Sequence, residues 1–187
     1  MNYRIACFID GGYLDKVLAI QFQKAKIDYL KLSTWMANGI DILRTYYYNC
    51  LPYQSPTPTE EERKLFSNAS EFHEALKRLQ RYEVRQGKLA FRGISRETGE
   101  KIFEQKQVDV MLAVDLVRLS TKGQITHAAI FASDSDYLPA IQTAKDEGVF
   151  IHLFYSPHRE LLPHRELLAI CDEKTPITLS VINSIRR

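Results

Sequence analysis

Short apolar runs and longer amphipathic stretches alternate along the chain. Arg4 to Ile9 is an apolar run that stops at Asp10-Gly11-Gly12, and it predicts a strand. A helix is expected over Tyr13 to Gln23, and a second over Tyr29 to Ala37, closed by Asn38-Gly39. Ile42 to Cys50, rich in Tyr and Leu, predicts the next strand, and the two prolines of Tyr53 to Thr59 predict a loop. Thr59 to Arg81 predicts a long charged helix. It opens on the capping-box pair Thr59 and Glu62 and has apolar positions at Leu65, Phe66, Phe72, Leu76 and Leu79. Tyr82 to Phe91 alternates as a strand does, and the polar stretch Arg92 to Gln107 predicts a loop or short hairpin. Val108 to Ser120 is apolar almost all round, which predicts a buried helix. Then come a strand over Ala128 to Ala132, a helix over Tyr137 to Glu147, a strand over Val149 to Tyr155 and a helix over Leu161 to Cys171. Ile177 to Ile182 is expected to be a strand or a disordered end. Short apolar strands alternating with helices predict an α/β fold, a mostly parallel central sheet covered on both faces. A single domain is expected, with a core over about 4–171 and a tail over 172–187.

Composition adds little to this picture. Of 187 residues, 45% are hydrophobic and 26% charged, an ordinary globular mix with room for a sizeable core. No stretch reaches the roughly 18 uncharged apolar residues of a membrane span, so no membrane partner is expected. The N-terminus lacks a long apolar segment and a small-residue cleavage site, and a cytoplasmic location is the expectation. Cys7, Cys50 and Cys171 are far apart and form no CxxC or Cys/His cluster, so neither a disulfide framework nor a zinc site is indicated.

The candidate chemistry is acidic. In an open parallel sheet, ligands bind beyond the carboxyl ends of the strands. Asp10 follows the first strand, and Ser133-Asp134-Ser135-Asp136 follows the strand Ala128 to Ala132. If those strands are neighbours, three carboxylates meet at one edge. Asp109 joins them from the start of the buried helix, where a carboxylate also suits the helix dipole. Asp115, six residues on, lies roughly 120° further round the axis and cannot point straight at the same site. It is expected to accept hydrogen bonds that brace a neighbouring loop. Carboxylates gathered around a cleft suit a hard cation, Mg²⁺ or Mn²⁺, and repel one another without one. Each acid also has a plain structural reading. Asp-Gly-Gly is a common turn, Asp134 and Asp136 could be an Asx-turn and an N-cap, and Asp109 could be a helix-start acid.

At these residues the sequence resembles the LabA-like NYN family, relatives of the PIN-domain nucleases. Three motifs carry the resemblance. They are Phe8-Ile9-Asp10-Gly11; Lys106-Gln107-Val108-Asp109-Val110 running on to Asp115; and Ser133-Asp134-Ser135-Asp136-Tyr137-Leu138-Pro139. Their order and spacing match from Arg4 to about Cys171. The resemblance implies a PIN-like, three-layer α/β/α fold. It also implies a Mg²⁺ or Mn²⁺ site on Asp10, Asp109, Asp134 and Asp136, supported by Asp115 and Ser133, and endonucleolytic cleavage of RNA. In one respect the chain departs from the family: many members have Asn two residues after the first Asp-Gly, where Tyr13 stands here.

The chemistry expected of such a site is polarisation of a phosphoryl oxygen and activation of a bound water, with Asp136 as the carboxylate free to orient that water. A polyanion would need cations. Arg81, Arg85, Lys88, Arg92, Arg96, Lys101 and Lys106 lie between the third strand and the buried helix, with Tyr82, Phe91 and Phe103 interleaved as stacking candidates. Lys106, Arg92, Arg96, Lys88 and, after the last core strand, Arg159 are the residues expected to contact nucleic acid, with single-stranded RNA as partner. The alternative for the basic run is a solvated face, since four glutamates dilute it. A homodimer through the helix Thr59 to Arg81 is a further partner reading, beside simple packing of that helix on the sheet. A haloacid dehalogenase-type phosphatase would want an acid where Gly12 stands, and a topoisomerase-primase type domain would start from a Glu. The remaining alternative is a PIN-like RNA-binding or protein-interaction module with little or no turnover, which Tyr13 keeps open.

Overall fold

The computed structural model describes residues 3–94 and 101–187, with side chains described for all of these except 90, 91, 94 and 101–106. Seven strands form one sheet in the order β4-β3-β2-β1-β5-β6-β7. The strands are β1 (Arg4–Asp10), β2 (Asp41–Cys50), β3 (Tyr82–Ile94), β4 (Lys101–Lys106), β5 (His127–Phe131), β6 (Phe150–Tyr155) and β7 (Glu173–Pro176). Six are parallel; β4 runs antiparallel against β3 at one edge. The hairpin expected within Arg92 to Gln107 is therefore formed by the far end of β3 and β4.

Side chains alternate along the strands and sort into two cores. Ile5, Cys7, Ile9 and Tyr47 face one side, where α1 (Gly11–Gln21), α2 (Tyr29–Ala37), α3 (Glu60–Lys77) and α7 (Leu179–Ser184) cover them. Ala6, Phe8, Tyr46 and Tyr48 face the other, under α4 (Val108–Thr121), α5 (Leu138–Asp146) and α6 (Arg165–Ile170). This is the three-layer α/β/α architecture. Strands buried on both faces account for the near-continuous apolar runs in the sequence. All three cysteines are free and buried, and burial pushes the Cys7 thiol up to about 12. Among the described residues, no helix is long and apolar enough to cross a membrane.

Two expectations are corrected. The strand expected within Ile177 to Ile182 lies earlier, at Glu173–Pro176, where it pairs with β6. The later segment is α7, capped by Thr178, with Ile177, Ile182 and Ile185 buried against α1 and α2. Isoleucines at close spacing look β-like in sequence, yet tertiary burial fixes them instead, Ile182 within α7 and Ile177 and Ile185 just outside its two ends. In α3, the capping box of Thr59 and Glu62 is present as expected, but Leu65 is 53% exposed and only the C-terminal half of the helix packs on the sheet.

The chain runs from β1 outward through β2 to β3, and later from β5 outward through β6 to β7. The direction reverses between β1 and β5, which pair in parallel with Phe8 opposite Ile130. A crevice opens at the carboxyl ends of strands at such a reversal. Asp10 ends one of these two strands, and Asp134 follows the other.

Candidate active site

Asp10 is half-buried at the last position of β1 and caps α1, its Oδ1 accepting from the Tyr13 backbone N–H at 3.0 Å. The turn that holds it depends on Gly11. A Cβ there would lie 2.4 Å from Cζ of Tyr47, 2.5 Å from its hydroxyl and 2.9 Å from the Asn49 amide nitrogen. Both neighbours are held in place: the Asn49 amide donates to the Tyr47 hydroxyl and to Asp15 Oδ2. Gly11→Ala is accordingly expected to destabilise the protein by about 1–3 kcal/mol through overpacking, read as a lower urea midpoint with an unchanged m-value.

Asp109 comes from a residue almost a hundred positions away and meets Asp10 at one oxygen. The buried Tyr137 hydroxyl donates to Asp109 Oδ1 at 2.7 Å, and Asp10 Oδ2 lies 3.4 Å from the same hydroxyl. Gln107, just before α4, has φ of 76° without being glycine, an uncommon conformation that turns the chain from β4 into the helix. Burial raises the Asp10 carboxyl to about 6; the Tyr13 N–H opposes this shift and the Asp109 charge adds to it. Burial also raises the Tyr137 hydroxyl, as do the charges of Asp10, Asp109 and Asp134. The three carboxylates thus act on one phenol.

Asp134 and Asp136 are exposed in the turn after β5. Asp134 caps the 3-10 turn Ser135–Tyr137, accepting from the Asp136 backbone N–H at 2.9 Å, and Pro139 follows at the start of α5. Asp134 therefore takes the capping role, and its charge acts on the Tyr137 hydroxyl. Asp115 lies apart from this group. It accepts from the Tyr48 hydroxyl, from Arg85 Nε and from Arg118. The expectation that it braces a loop is corrected: it ties α4 to β2 and β3, because a carboxylate on the inner face of a helix meets the sheet.

Tyr13 is structural. Its hydroxyl donates to the Leu161 carbonyl at 2.8 Å and accepts from the Ser156 N–H at 2.9 Å, pinning α1 to the loop after β6. Of the basic residues, Lys88 and Arg92 are exposed on β3, and Arg159 is exposed after β6. Lys106 stands opposite Lys88 in the β3–β4 register, though its side chain lies outside the described residues, as does all of Arg96. Arg81 and Arg85 are engaged in ion pairs with Asp41, Glu83 and Asp115. Tyr82 is buried and donates to the Tyr29 carbonyl, so it is no stacking platform.

Sequence reasoning passed over the Tyr137 hydroxyl, Asn49 and Asp15. Asn49 stands near the carboxyl end of β2, and the strand-end rule that picked out Asp10 would have found it. Asp15 carries no motif; burial raises its carboxyl, and the Asn49 amide works against that shift.

Among the described residues, no three His, Cys, Asp or Glu side chains could hold a metal ion as they stand. The Asp10–Asp109 pair nevertheless suits a small hard cation. Mg²⁺ is commonly held by one or two carboxylates and keeps several of its waters. Burial is the chief cause of the raised Asp10 carboxyl, and the Asp109 charge that adds to it is what such an ion would relieve.

A family model described as NYN domain matches residues 4–178. A solved structure of a protein of unknown function from Vibrio parahaemolyticus is similar, with a TM-score of 0.66, 13% identity, and coverage of 95% of this chain and 94% of that one. That likeness concerns the fold alone. No curated protein matches the chain.

Proposed function

The chain belongs to the NYN domain family of PIN-like nucleases, and on that footing we propose that it is a Mg²⁺- or Mn²⁺-dependent endoribonuclease of the LabA-like kind, acting on single-stranded RNA. The observation that carries this reading is the meeting of Asp10 and Asp109 at one phenol, beside the reversal of strand order. Asp10 and Asp109 would hold the cation, and Asp134 and Asp136 would complete the site from its rim. Asp115 supports it through α4, and Ser133 by leading into the Asp134 turn. When bound, the cation supplies a polarised phosphoryl oxygen and a water of lowered pKa. The residues do the rest. Asp136, exposed beside Asp134, orients the attacking water and takes its proton. Lys88, Arg92, Arg159, Lys106 and Arg96 are the cations assigned to the RNA backbone. The reading includes a single domain and a cytoplasmic location, with α3 as the surface of any homodimer.

A test is incubation of a labelled single-stranded RNA with the purified protein in Mn²⁺, in Mg²⁺ and in EDTA. Internal cleavage with either ion and none in EDTA is expected; intact RNA in all three would overturn the enzyme reading. One observation favours a second reading, a binding module without turnover: the Tyr13 hydroxyl is engaged with the Leu161 carbonyl and the Ser156 N–H, at the position where many members of the family the sequence resembles have a polar Asn. RNA retention without cleavage in the same experiment would select it.

A further inference from the structure

We infer that Tyr137 is a positioning residue for the cation: its hydroxyl presets Asp109 against Asp10 before any ion arrives. The inference rests on the reading that these two carboxylates hold the ion. Tyr137 is fully buried, so its ring has no freedom to swing away. Its position is set from both sides, by the 3-10 turn that Asp134 caps and by the core under α4 and α5.

The hydrogen bonds divide the carboxylate oxygens. Asp10 Oδ1 is occupied by the Tyr13 N–H, and Asp109 Oδ1 by the Tyr137 hydroxyl. A phenol has one proton and donates it to Asp109 at 2.7 Å, which leaves the 3.4 Å approach of Asp10 Oδ2 as the looser one. Each carboxylate therefore keeps one oxygen less committed, and the two acids are fixed in direction by donors that are themselves rigid. An ionised carboxylate accepts through both oxygens, so a bond to Oδ1 of Asp109 does not block its Oδ2. Groups that hydrogen-bond to metal ligands contribute about 10–100-fold to metal affinity by fixing ligand direction. Phenylalanine would fill the same core volume and give none of this.

The experiment is Mn²⁺ binding by calorimetry to the full chain without RNA, for the wild type, Asp109→Asn and Tyr137→Phe. Thermal unfolding of each is measured in EDTA as the control for fold. Binding by Tyr137→Phe is expected to be about 10–100-fold weaker than by wild type, with a metal-free folded state intact. Equal or tighter binding by Tyr137→Phe, with Asp109→Asn impaired, overturns the role of Tyr137 and leaves the metal reading standing. Equal binding, or none, by wild type and Asp109→Asn overturns both. Should Tyr137→Phe fail to fold, 3-fluorotyrosine placed at position 137 of the otherwise natural chain gives a second measurement. Its fluorine NMR signal is expected to shift along the Mg²⁺ binding curve, and a signal unmoved at saturation overturns the inference.

Discussion

Asp10→Asn is expected to lower Mn²⁺-dependent RNA cleavage by at least about a hundredfold and, in EDTA at pH 8, to make the protein more stable. The loss follows from the proposed role. Residues that merely orient a metal ligand contribute about 10–100-fold, so a carboxylate that holds the ion contributes no less. The stability gain follows from charge. The folded protein raises the Asp10 carboxyl from 3.8 to about 6, chiefly by burial. Between those values the native state binds more protons than the unfolded chain, so stability falls as pH rises through that window. The stabilising contribution is full below the unfolded pKa and gone above the folded one. Asparagine never ionises and so escapes this loss, while its Oδ1 can still accept from the Tyr13 N–H. With allowance for the partial exposure of the site, the gain is roughly 1–2 kcal/mol. Urea unfolding of both proteins at pH 4 and pH 8 in EDTA measures it. A difference between them that does not grow with pH counts against the electrostatic account. Saturating Mn²⁺ at pH 8 should stabilise the wild type, by about 2.7 kcal/mol at a hundred times Kd, and leave Asp10→Asn nearly unmoved.

Asp115→Ala is expected to cost the most stability of any single change considered, about 2–4 kcal/mol. Its side chain is 9% exposed and accepts three hydrogen bonds, from Tyr48, Arg85 and Arg118. Removing one partner of a buried ion pair typically costs about 3–5 kcal/mol, because the other charge is left unpaired. Here both guanidiniums can still reach water, being 31% and 45% exposed, which lowers the figure. The Tyr48 hydroxyl cannot, since that residue is fully buried. Asp115→Asn keeps an acceptor for Tyr48 and should lose less than the alanine variant. Chemical denaturation of the two variants gives the comparison, and equal losses would mean that charge and hydrogen bonding to Tyr48 are not what hold α4 to β2.

The legible parts of this fold were those written in local periodicity. β1, β2, β5 and β6 appear as short apolar runs because both sheet faces are covered, so no polar alternation interrupts them. α3 announces its start through Thr59 and Glu62, whose reciprocal bonds involve only neighbours in sequence. β7 and α7 were not legible. Glu173–Pro176 is polar for a strand and is held by pairing with β6, while Ile177, Ile182 and Ile185 are held by burial in the core shared with α1 and α2, which no local pattern encodes. The basic run was misleading in part for the same reason. Composition put Arg81 and Arg85 on one list with Lys88, but their acidic partners Asp41 and Asp115 are distant in sequence.

For the acidic group, the sequence by itself determined which aspartates stand at strand ends and at a helix start. That is a property of short segments and their caps. Only the tertiary structure decided which of them meet. The parallel pairing of β1 with β5 sets the ends of those strands side by side, and the turn at Gln107 brings the start of α4 to the same edge. The phenol of Tyr137 then joins Asp10 to Asp109 while Asp115 is turned onto the sheet. Hydrogen bonds and charge repulsion act over a few ångströms of space, and the separation of residues along a chain carries no record of that distance until the sheet has formed.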